Sequence, residues 1–201
     1  YGYIRNIEEF FSKIDQVPGT SDVISQMRGE MHFLLAWYYM ELAERYGGVP
    51  LITKPFKLDD NFQMQRSSYD STVDFIVSEC DSAATLLPQN YDANSLGRAT
   101  RGAALALKSR ILLYAASHLW NTSNDQAKWQ KAADAAKAVI DMGIYSLYQG
   151  PMGTYGQIFT DNTNQEIIFQ RTIDPTSANT IYSAVEQTEG PDGGINSLGQ
   201  Y

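Results

Sequence analysis

The stretch from Val23 to Tyr46 constrains the fold more than any other part of the chain, because its apolar side chains recur on two faces of a predicted helix. Two rows follow the helical spacing: one holds Met27, Met31, Leu34, Leu35, Tyr38 and Leu42, and the other holds Phe33, Ala36, Trp37 and Met40. A helix that is apolar on two faces is buried between neighbouring elements. The sequence therefore predicts a long central helix over residues 23–46, enclosed by other helices.

Three adjacent aromatic residues, Trp37, Tyr38 and Tyr39, lie in the middle of this helix. Successive helical side chains point about 100° apart, so the three rings cannot form one flat platform for a ligand. We expect Trp37 and Tyr38 to be core residues, and Tyr39 to lie on a third side where its hydroxyl reaches water or a polar partner. Gly47 is predicted to end the helix with a positive φ, and Pro50 prevents continuation.

Four further segments show helical periodicity and predict helices over residues 4–14, 69–87, 100–119 and 126–141. Successive helices are expected to pack as antiparallel hairpins. The last two, with Trp129 followed by an alanine-rich stretch, have roughly the size of one tetratricopeptide helix-turn-helix repeat. The predicted fold class is therefore mostly α, with tetratricopeptide-like helical hairpins.

The character of the chain changes after Gly143, where glycine and tyrosine become frequent. Residues 165–171 have the β-branched and aromatic content of a short strand. From residue 174 onward there is no period, and repeated glycines mark an irregular, loop-rich segment. We expect a helical scaffold over residues 1–148 and an irregular segment over residues 149–201.

The composition argues against several functions. The 23 acidic and 15 basic residues give a net charge of −8, which disfavours nucleic acid and anionic membrane surfaces as partners. No apolar run has the length needed to span a bilayer. Cys80 is the single cysteine of the sequence, which excludes a disulfide framework and a cysteine-based zinc site.

No pattern of catalytic residues or metal ligands stands out either. The two histidines, His32 and His118, lie in predicted helices without acidic or cysteine residues at metal-ligand spacing, so we interpret them as hydrogen-bonded helix residues. The sequence has no metalloprotease, nucleophile-elbow or phosphate-loop motif. We expect no enzyme activity, no metal site and no cofactor.

Four blocks resemble one known family. The segment RGEMHFLLAWYYMELAERYGGVPLIT at residues 28–53, and further blocks at 97–117, 128–148 and 164–169, are similar in order to the SusD/RagB family. This resemblance implies tetratricopeptide-like hairpins and a less regular subdomain that binds glycan, with residues 149–201 as its truncated start. Family members are much longer, so we expect the chain to be part of such a protein.

The resemblance also implies a biological setting. Family members are surface lipoproteins of the outer membrane in Bacteroidetes that bind oligosaccharide without catalysis and deliver it to a SusC-like TonB-dependent transporter. The lipid anchor would lie outside this chain. The alternatives are a peptide- or protein-binding helical-repeat scaffold, and a family member that captures another nutrient.

By analogy with the family, glycan contacts come from irregular segments on the helical scaffold. The candidate sugar-binding residues in the irregular segment are Tyr182, Gln187, Asp192 and Asn196. Tyr182 offers a ring for stacking, and the other three offer hydrogen bonds to sugar hydroxyls. The second candidate is Trp120, with Asn121 beside it, just after the predicted fourth helix.

Overall fold

The computed structural model describes residues 1–60, 62–149 and 164–170. This part of the chain contains five α-helices, which are α1 (Gly2–Lys13), α2 (Ser21–Tyr46), α3 (Tyr69–Leu86), α4 (Arg101–Ala116) and α5 (Gln126–Asp141). No helix among them is both long and apolar enough to cross a membrane. The predicted mostly helical class is confirmed.

The helices pack against their neighbours in sequence, as the hairpin prediction requires. α2 packs on α1 and α3, α3 packs on α4, and α4 packs on α5. α4 approaches its neighbours closely because small residues lie on its buried face, which holds Gly102, Ala103, Ala104, Ala115 and Ala116. The core runs between α2, α3 and α4 and includes fully buried Phe33, Ile76 and Ile111.

The helix boundaries agree with the sequence prediction to within a few residues. α5 spans the predicted residues, whereas α4 ends at Ala116, three residues earlier than predicted. It ends there because Ser117 turns to an extended conformation, and its hydroxyl donates a 2.6 Å hydrogen bond to the carbonyl of Tyr114. Thr100 and Asp125 cap α4 and α5 by accepting hydrogen bonds from backbone N–H groups of Ala103 and Ala127.

The prediction for the three aromatic residues of α2 was wrong in its order of burial. Tyr39, expected on a third side with its hydroxyl at water or a polar partner, is 0% exposed, while Trp37 and Tyr38, expected in the core, are half-buried and pack against it. The Tyr39 hydroxyl accepts a 2.7 Å hydrogen bond from the backbone N–H of Ile52, which satisfies it inside the core. The row pattern misplaced these rings because α2 has packed neighbours on several sides, and a buried phenol needs only one polar partner.

The strand predicted over residues 165–171 is not present in the part that the structure describes. Residues 165–166 form a turn and residue 168 a bend, and Arg171 lies outside the described residues. The backbone N–H of Ser146 donates to the carbonyl of Gln165 at 3.2 Å, which links the segment to the chain after α5 without forming a ladder. A strand needs a partner strand along its length, and side-chain type alone did not supply one.

Two glycines end α2 in different ways. Gly47 has φ of 72°, which confirms the predicted positive value, and its N–H bonds to the carbonyl of Ala43 at 2.9 Å. Gly48 is needed for space, because an added Cβ would overlap the Ser67 carbonyl oxygen and lie 2.7 Å from the Ser68 carbonyl carbon. The proposed division at residue 148 stays a prediction, since most of residues 149–201 lies outside the described residues.

Candidate functional site

Three irregular segments meet in a depression of about 290 Å³, which we call the loop pocket. Its walls come from residues 90–100, residues 144–145 and residues 164–170. The polar side chains of the wall are those of Asn90, Tyr91, Ser95, Arg98, Thr100, Tyr145, Asn164, Gln165 and Gln170. Hydroxyl and amide groups donate and accept hydrogen bonds, while Leu96, Ile144, Ile167, Ile168 and Phe169 give the wall an apolar part. The pocket can therefore take a ligand that has both polar groups and an apolar face.

A carboxylate on α2 fixes the first wall of the loop pocket. Glu30 accepts hydrogen bonds from Arg98 Nε at 2.7 Å, from Arg98 Nη2 at 2.8 Å and from the Tyr91 hydroxyl at 3.0 Å. Burial alone would raise the pKa of Glu30, but these hydrogen bonds and that from Gln26 outweigh burial and lower the pKa. Glu30 is therefore ionised at neutral pH and clamps residues 91–98 to the helix.

The other two walls are held by α4 and by bonds between the segments. Gly102 leaves space for the Tyr145 ring, because a Cβ on Gly102 would overlap the tyrosine hydroxyl and lie 2.6 Å from its Cε2 atom. The Ser146 hydroxyl donates to Gln165 Oε1 at 2.8 Å, and the N–H of Tyr148 donates to Glu166 Oε2 at 2.9 Å. These contacts therefore fix the positions of the second and third walls of the loop pocket.

Trp120 lies in a second depression of about 350 Å³ at the end of α4, which we call the Trp120 pocket. It is lined by Ala43, Glu44, Tyr69, Tyr114, Ser117, Leu119 and Trp120. The Trp120 ring stacks on Tyr69 with centroids 3.8 Å apart and planes 9° from parallel, which covers one ring face. The edge of the ring meets the end of α2, since an added Cβ on Gly47 would lie 2.8 Å from Trp120 Cη2.

The pocket brings a carboxylate and a cation close to these rings. Arg110 Nη2 lies 3.3 Å from Glu44 Oε1, and Arg110 Nε donates to the Tyr114 hydroxyl at 3.2 Å. Burial, together with the smaller effects of the nearby charges of Asp70 and Glu44, raises the pKa of Tyr69 to about 12, so the phenol stays protonated. The Trp120 pocket can therefore offer hydrogen bonds and the partly exposed ring of Trp120, one face of which is covered by Tyr69.

Asn121, predicted as the partner of Trp120 in sugar binding, has a structural role in this geometry. Asn121 is 4% exposed as a residue, and its Nδ2 donates hydrogen bonds to the carbonyls of Ala116 and Asp125. Its Oδ1 accepts from the N–H of Asp125 at 2.7 Å. The amide thus joins the end of α4 to the start of α5.

The remaining candidate residues of the irregular segment, Tyr182, Gln187, Asp192 and Asn196, lie outside the described residues. Sequence reasoning missed the loop-pocket residues Asn90, Tyr91 and Arg98, which lie between the helices predicted over residues 69–87 and 100–119. The signal that could have found them was the expectation that ligand contacts come from irregular segments. What was missing was the spatial contact of this loop with residues 164–170.

The half-buried His32 of α2 forms no third site. His32 Nδ1 lies 2.6 Å from Glu79 Oε2, and its ring packs 4.7 Å from Phe11, which agrees with the predicted hydrogen-bonded helix histidine. Within the described residues, no group of three or more histidine, cysteine or acidic side chains is arranged to hold a metal ion. The described geometry therefore offers recognition of a ligand by hydrogen bonds and aromatic rings.

Comparison with known families identifies the family of this chain. Residues 1–113 match a SusD-like family model that is described as starch-binding and associating with the outer membrane. This match covers the three helices α1 to α3, the Glu30–Arg98 pair and most of α4. The chain belongs to the SusD-like family.

Individual SusD-like proteins align over most of this chain but are much longer. A SusD-like protein of Formosa agariphila is 26% identical over 163 residues, which are 78% of this chain and 28% of that protein. A SusD-like protein from Bacteroides fragilis is 34% identical, with a TM-score of 0.74 over 86% of this chain and 32% of that one. A SusD-like carbohydrate-binding protein from Bacteroides fragilis is 25% identical, with a TM-score of 0.69, and the match covers 30% of that protein's chain.

Proposed function

We propose that the chain is part of a non-catalytic glycan-binding protein at the bacterial cell surface, which passes oligosaccharide to a SusC-like TonB-dependent transporter. Membership of the SusD-like family carries this proposal, because the family model is described as starch-binding and associating with the outer membrane. The protein would be held at the membrane by a lipid anchor outside this chain. No catalytic group or cofactor is required for such capture and release.

The chemistry of the described depressions supports a sugar ligand. The loop pocket is lined by hydroxyl and amide groups, and the Trp120 pocket adds aromatic rings beside a carboxylate. Sugars need both features, since their hydroxyls form hydrogen bonds and their apolar ring faces pack on aromatic rings. In addition, we propose that Tyr182, Gln187, Asp192 and Asn196 contact the glycan, with Trp120 as a further contact through its exposed edge.

A pair of binding arrays tests the function. The 201-residue chain, labelled and folded, is applied to an array of plant, algal and bacterial oligosaccharides and to an array of random peptides. We expect binding to a group of related oligosaccharides, with dissociation constants of about 1 µM to 1 mM. Binding to peptides and to no glycan would reject the proposal in favour of a peptide-binding scaffold.

Variants then locate the contacts. Calorimetry with the best oligosaccharide compares wild type with Tyr182→Ala and with Trp120→Ala. A loss of affinity in Tyr182→Ala would support a contact in the irregular segment, whereas a loss of affinity only in Trp120→Ala would move the contact to the end of α4.

Delivery is tested separately by purifying the tagged protein from outer membranes and asking whether a TonB-dependent transporter copurifies in stoichiometric amount.

One observation favours the peptide-binding alternative. A depression of about 540 Å³ lies along α2 and α4 and is lined mainly by apolar side chains, including Phe33, Trp37 and Leu107. Phe169 of the chain already lies there, with its ring 5.1 Å from that of Phe33. An apolar side chain from an irregular segment thus packs on this helical surface, which is the kind of contact that a peptide-binding repeat scaffold makes. The peptide array is therefore a necessary arm of the test.

A further inference from the structure

The loop pocket has the size for a small ligand unit. Its volume of about 290 Å³ is at the lower end of the range found for ligand pockets, which begins near roughly 300 Å³. Ser95, Thr100 and Tyr145 offer hydroxyls, and Asn90 offers an amide, at the wall of the pocket. A pocket of this size, with both polar and apolar side chains in its wall, fits one sugar ring of a longer chain.

The charge of the pocket is set by one ion pair. Arg98 is the single formally charged residue among the described residues that line the pocket. Both oxygens of Glu30 are bonded to its guanidinium, at 2.7 and 2.8 Å, so the two charges cancel. The Glu30 side chain is only 16% exposed, which reduces the screening of this pair by water.

The remaining contacts of this pair keep it in place. Tyr91 donates its hydroxyl to Glu30 at 3.0 Å, and the Arg98 guanidinium lies 5.6 Å from the centre of the Tyr91 ring. Arg98 is therefore held by a carboxylate on one side and an aromatic ring on the other. The Nε and Nη2 edge of the guanidinium is occupied by Glu30, so a second carboxylate that approached the other N–H groups would lie close to the charge of Glu30, whereas a neutral hydroxyl would not be repelled.

This arrangement disfavours an acidic ligand. A uronic acid would bring a second carboxylate to a guanidinium that is already paired, and would either meet repulsion from Glu30 or have to break a half-buried ion pair. An uncharged sugar requires neither change. We propose that the loop pocket is a subsite for one uncharged sugar residue, and that Glu30 excludes acidic sugars by occupying Arg98. This inference rests on the proposed glycan-binding function.

The first experiment asks whether sugar enters this pocket. Ser95→Trp fills the pocket with a large side chain at a loop position, and Ser12→Trp places the same side chain on the exposed face of α1 as a control. Neutral oligosaccharides that bind wild type on the array are titrated into each variant. We expect Ser95→Trp to weaken binding at least about tenfold and Ser12→Trp to bind as wild type.

The second experiment tests the selectivity. Oligogalacturonates and neutral oligosaccharides of equal length are compared for wild type, for Glu30→Gln and for the double variant Glu30→Gln/Arg98→Met. Wild type is expected to prefer the neutral ligands. Glu30→Gln should raise the ratio of acidic to neutral affinity about tenfold, and removal of Arg98 in the double variant should abolish that gain.

The outcomes separate this inference from the function on which it rests. If wild type binds no glycan, the proposed function fails and the inference fails with it. If wild type binds glycan and Ser95→Trp does so equally well, the function stands and the pocket assignment is rejected. Two results would overturn the selectivity role of Glu30. One is that wild type prefers oligogalacturonates, and the other is that Glu30→Gln loses affinity equally for acidic and neutral ligands.

Discussion

The two halves of α2 hold their neighbouring loops by different physical means. The C-terminal end uses close backbone contact and buried rings, with Gly48 against the Ser67 carbonyl and Tyr39 bonded to Ile52. The N-terminal half uses a charged side chain, since Glu30 binds Arg98 and Tyr91 of the loop that forms the pocket. One helix thus carries a packed anchor and an ionic anchor.

The packed anchor and the ionic anchor are expected to tolerate substitutions differently. A packed anchor has no room for an added atom, and its stability does not depend on the protonation of a carboxylate. An ionic anchor tolerates conservative substitution, but it responds to acid and to salt. The ionic anchor is the one beside the candidate ligand pocket, where an adjustable loop is useful for recognition, whereas the packed anchor fixes the scaffold.

The largest effect is expected at the packed end. Gly48→Ala should lower the free energy of unfolding by at least about 3 kcal/mol, because the new Cβ overlaps backbone atoms that cannot rotate away. Gly2→Ala is the control, since no heavy atom lies within 4 Å of the corresponding Cβ. Urea denaturation followed by circular dichroism measures both. A Gly48→Ala protein as stable as Gly2→Ala would show that this end is not rigidly packed.

A second prediction concerns the ring stack at the same end. Trp120→Ala should lower the free energy of unfolding by about 2.5 kcal/mol. This is less than for the loss of a fully buried tryptophan, because the ring is stacked on Tyr69 but remains 38% exposed. Trp129 is 39% exposed and donates to Asn124 Oδ1 at 3.1 Å, so Trp129→Ala is a matched control with an expected cost below about 1 kcal/mol. Equal costs for the two variants would contradict a special role for the Tyr69 stack.

The buried hydroxyl of Tyr39 gives a smaller effect. Tyr39→Phe should cost about 1.5 kcal/mol, because it leaves the N–H of Ile52 without its 2.7 Å acceptor. Burial raises the pKa of Tyr39 to about 12, so its phenol is neutral throughout the physiological range and this cost should not change with pH between 5 and 9. Tyr38→Phe, at a half-buried ring stacked 5.1 Å from Tyr3, is the control and should be nearly neutral. A cost for Tyr38→Phe that equalled that of Tyr39→Phe would remove the distinction between the two tyrosines.

The smallest effect belongs to the ionic anchor and depends on pH. Glu30 has a pKa below its usual 4.5 in the folded protein, so its contribution is present above pH 4.5 and is lost as the pH falls through the folded value. Glu30→Gln should therefore cost about 1 kcal/mol at pH 7 and much less at pH 3. Denaturation of wild type and variant at the two pH values measures this difference.

A surface pair serves as the control for that experiment. Glu9 pairs with Arg5 one helical turn away, with 67% of the arginine side chain exposed, so Glu9→Gln should cost less than about 0.5 kcal/mol at either pH. If Glu30→Gln cost the same at pH 7 and pH 3, the loop would be held by packing instead of charge. The contrast between the two ends of α2 would then disappear.

The helical scaffold could be predicted from the sequence because its signals are local. Apolar spacing located all five helices, and Gly47 marked the end of α2 with the expected positive φ. Local patterns failed where contacts between distant residues decide the outcome. Tyr39 is buried with its hydroxyl bonded to Ile52, and residues 165–170 hold a turn at 165–166 and a bend at 168 where a strand was predicted.

The candidate site was less predictable for the same physical reason. The polar character of residues 89–99 was visible in the sequence, but a pocket exists only where this loop meets residues 144–145 and 164–170. The ion pair between Glu30 and Arg98 joins residues 68 positions apart, and no local period records such a pair. The helices and the family could be read from the residues alone, since both depend on residue type and spacing. Which rings are buried and which polar groups share a pocket became visible only in the folded chain, because those properties depend on which distant segments pack together.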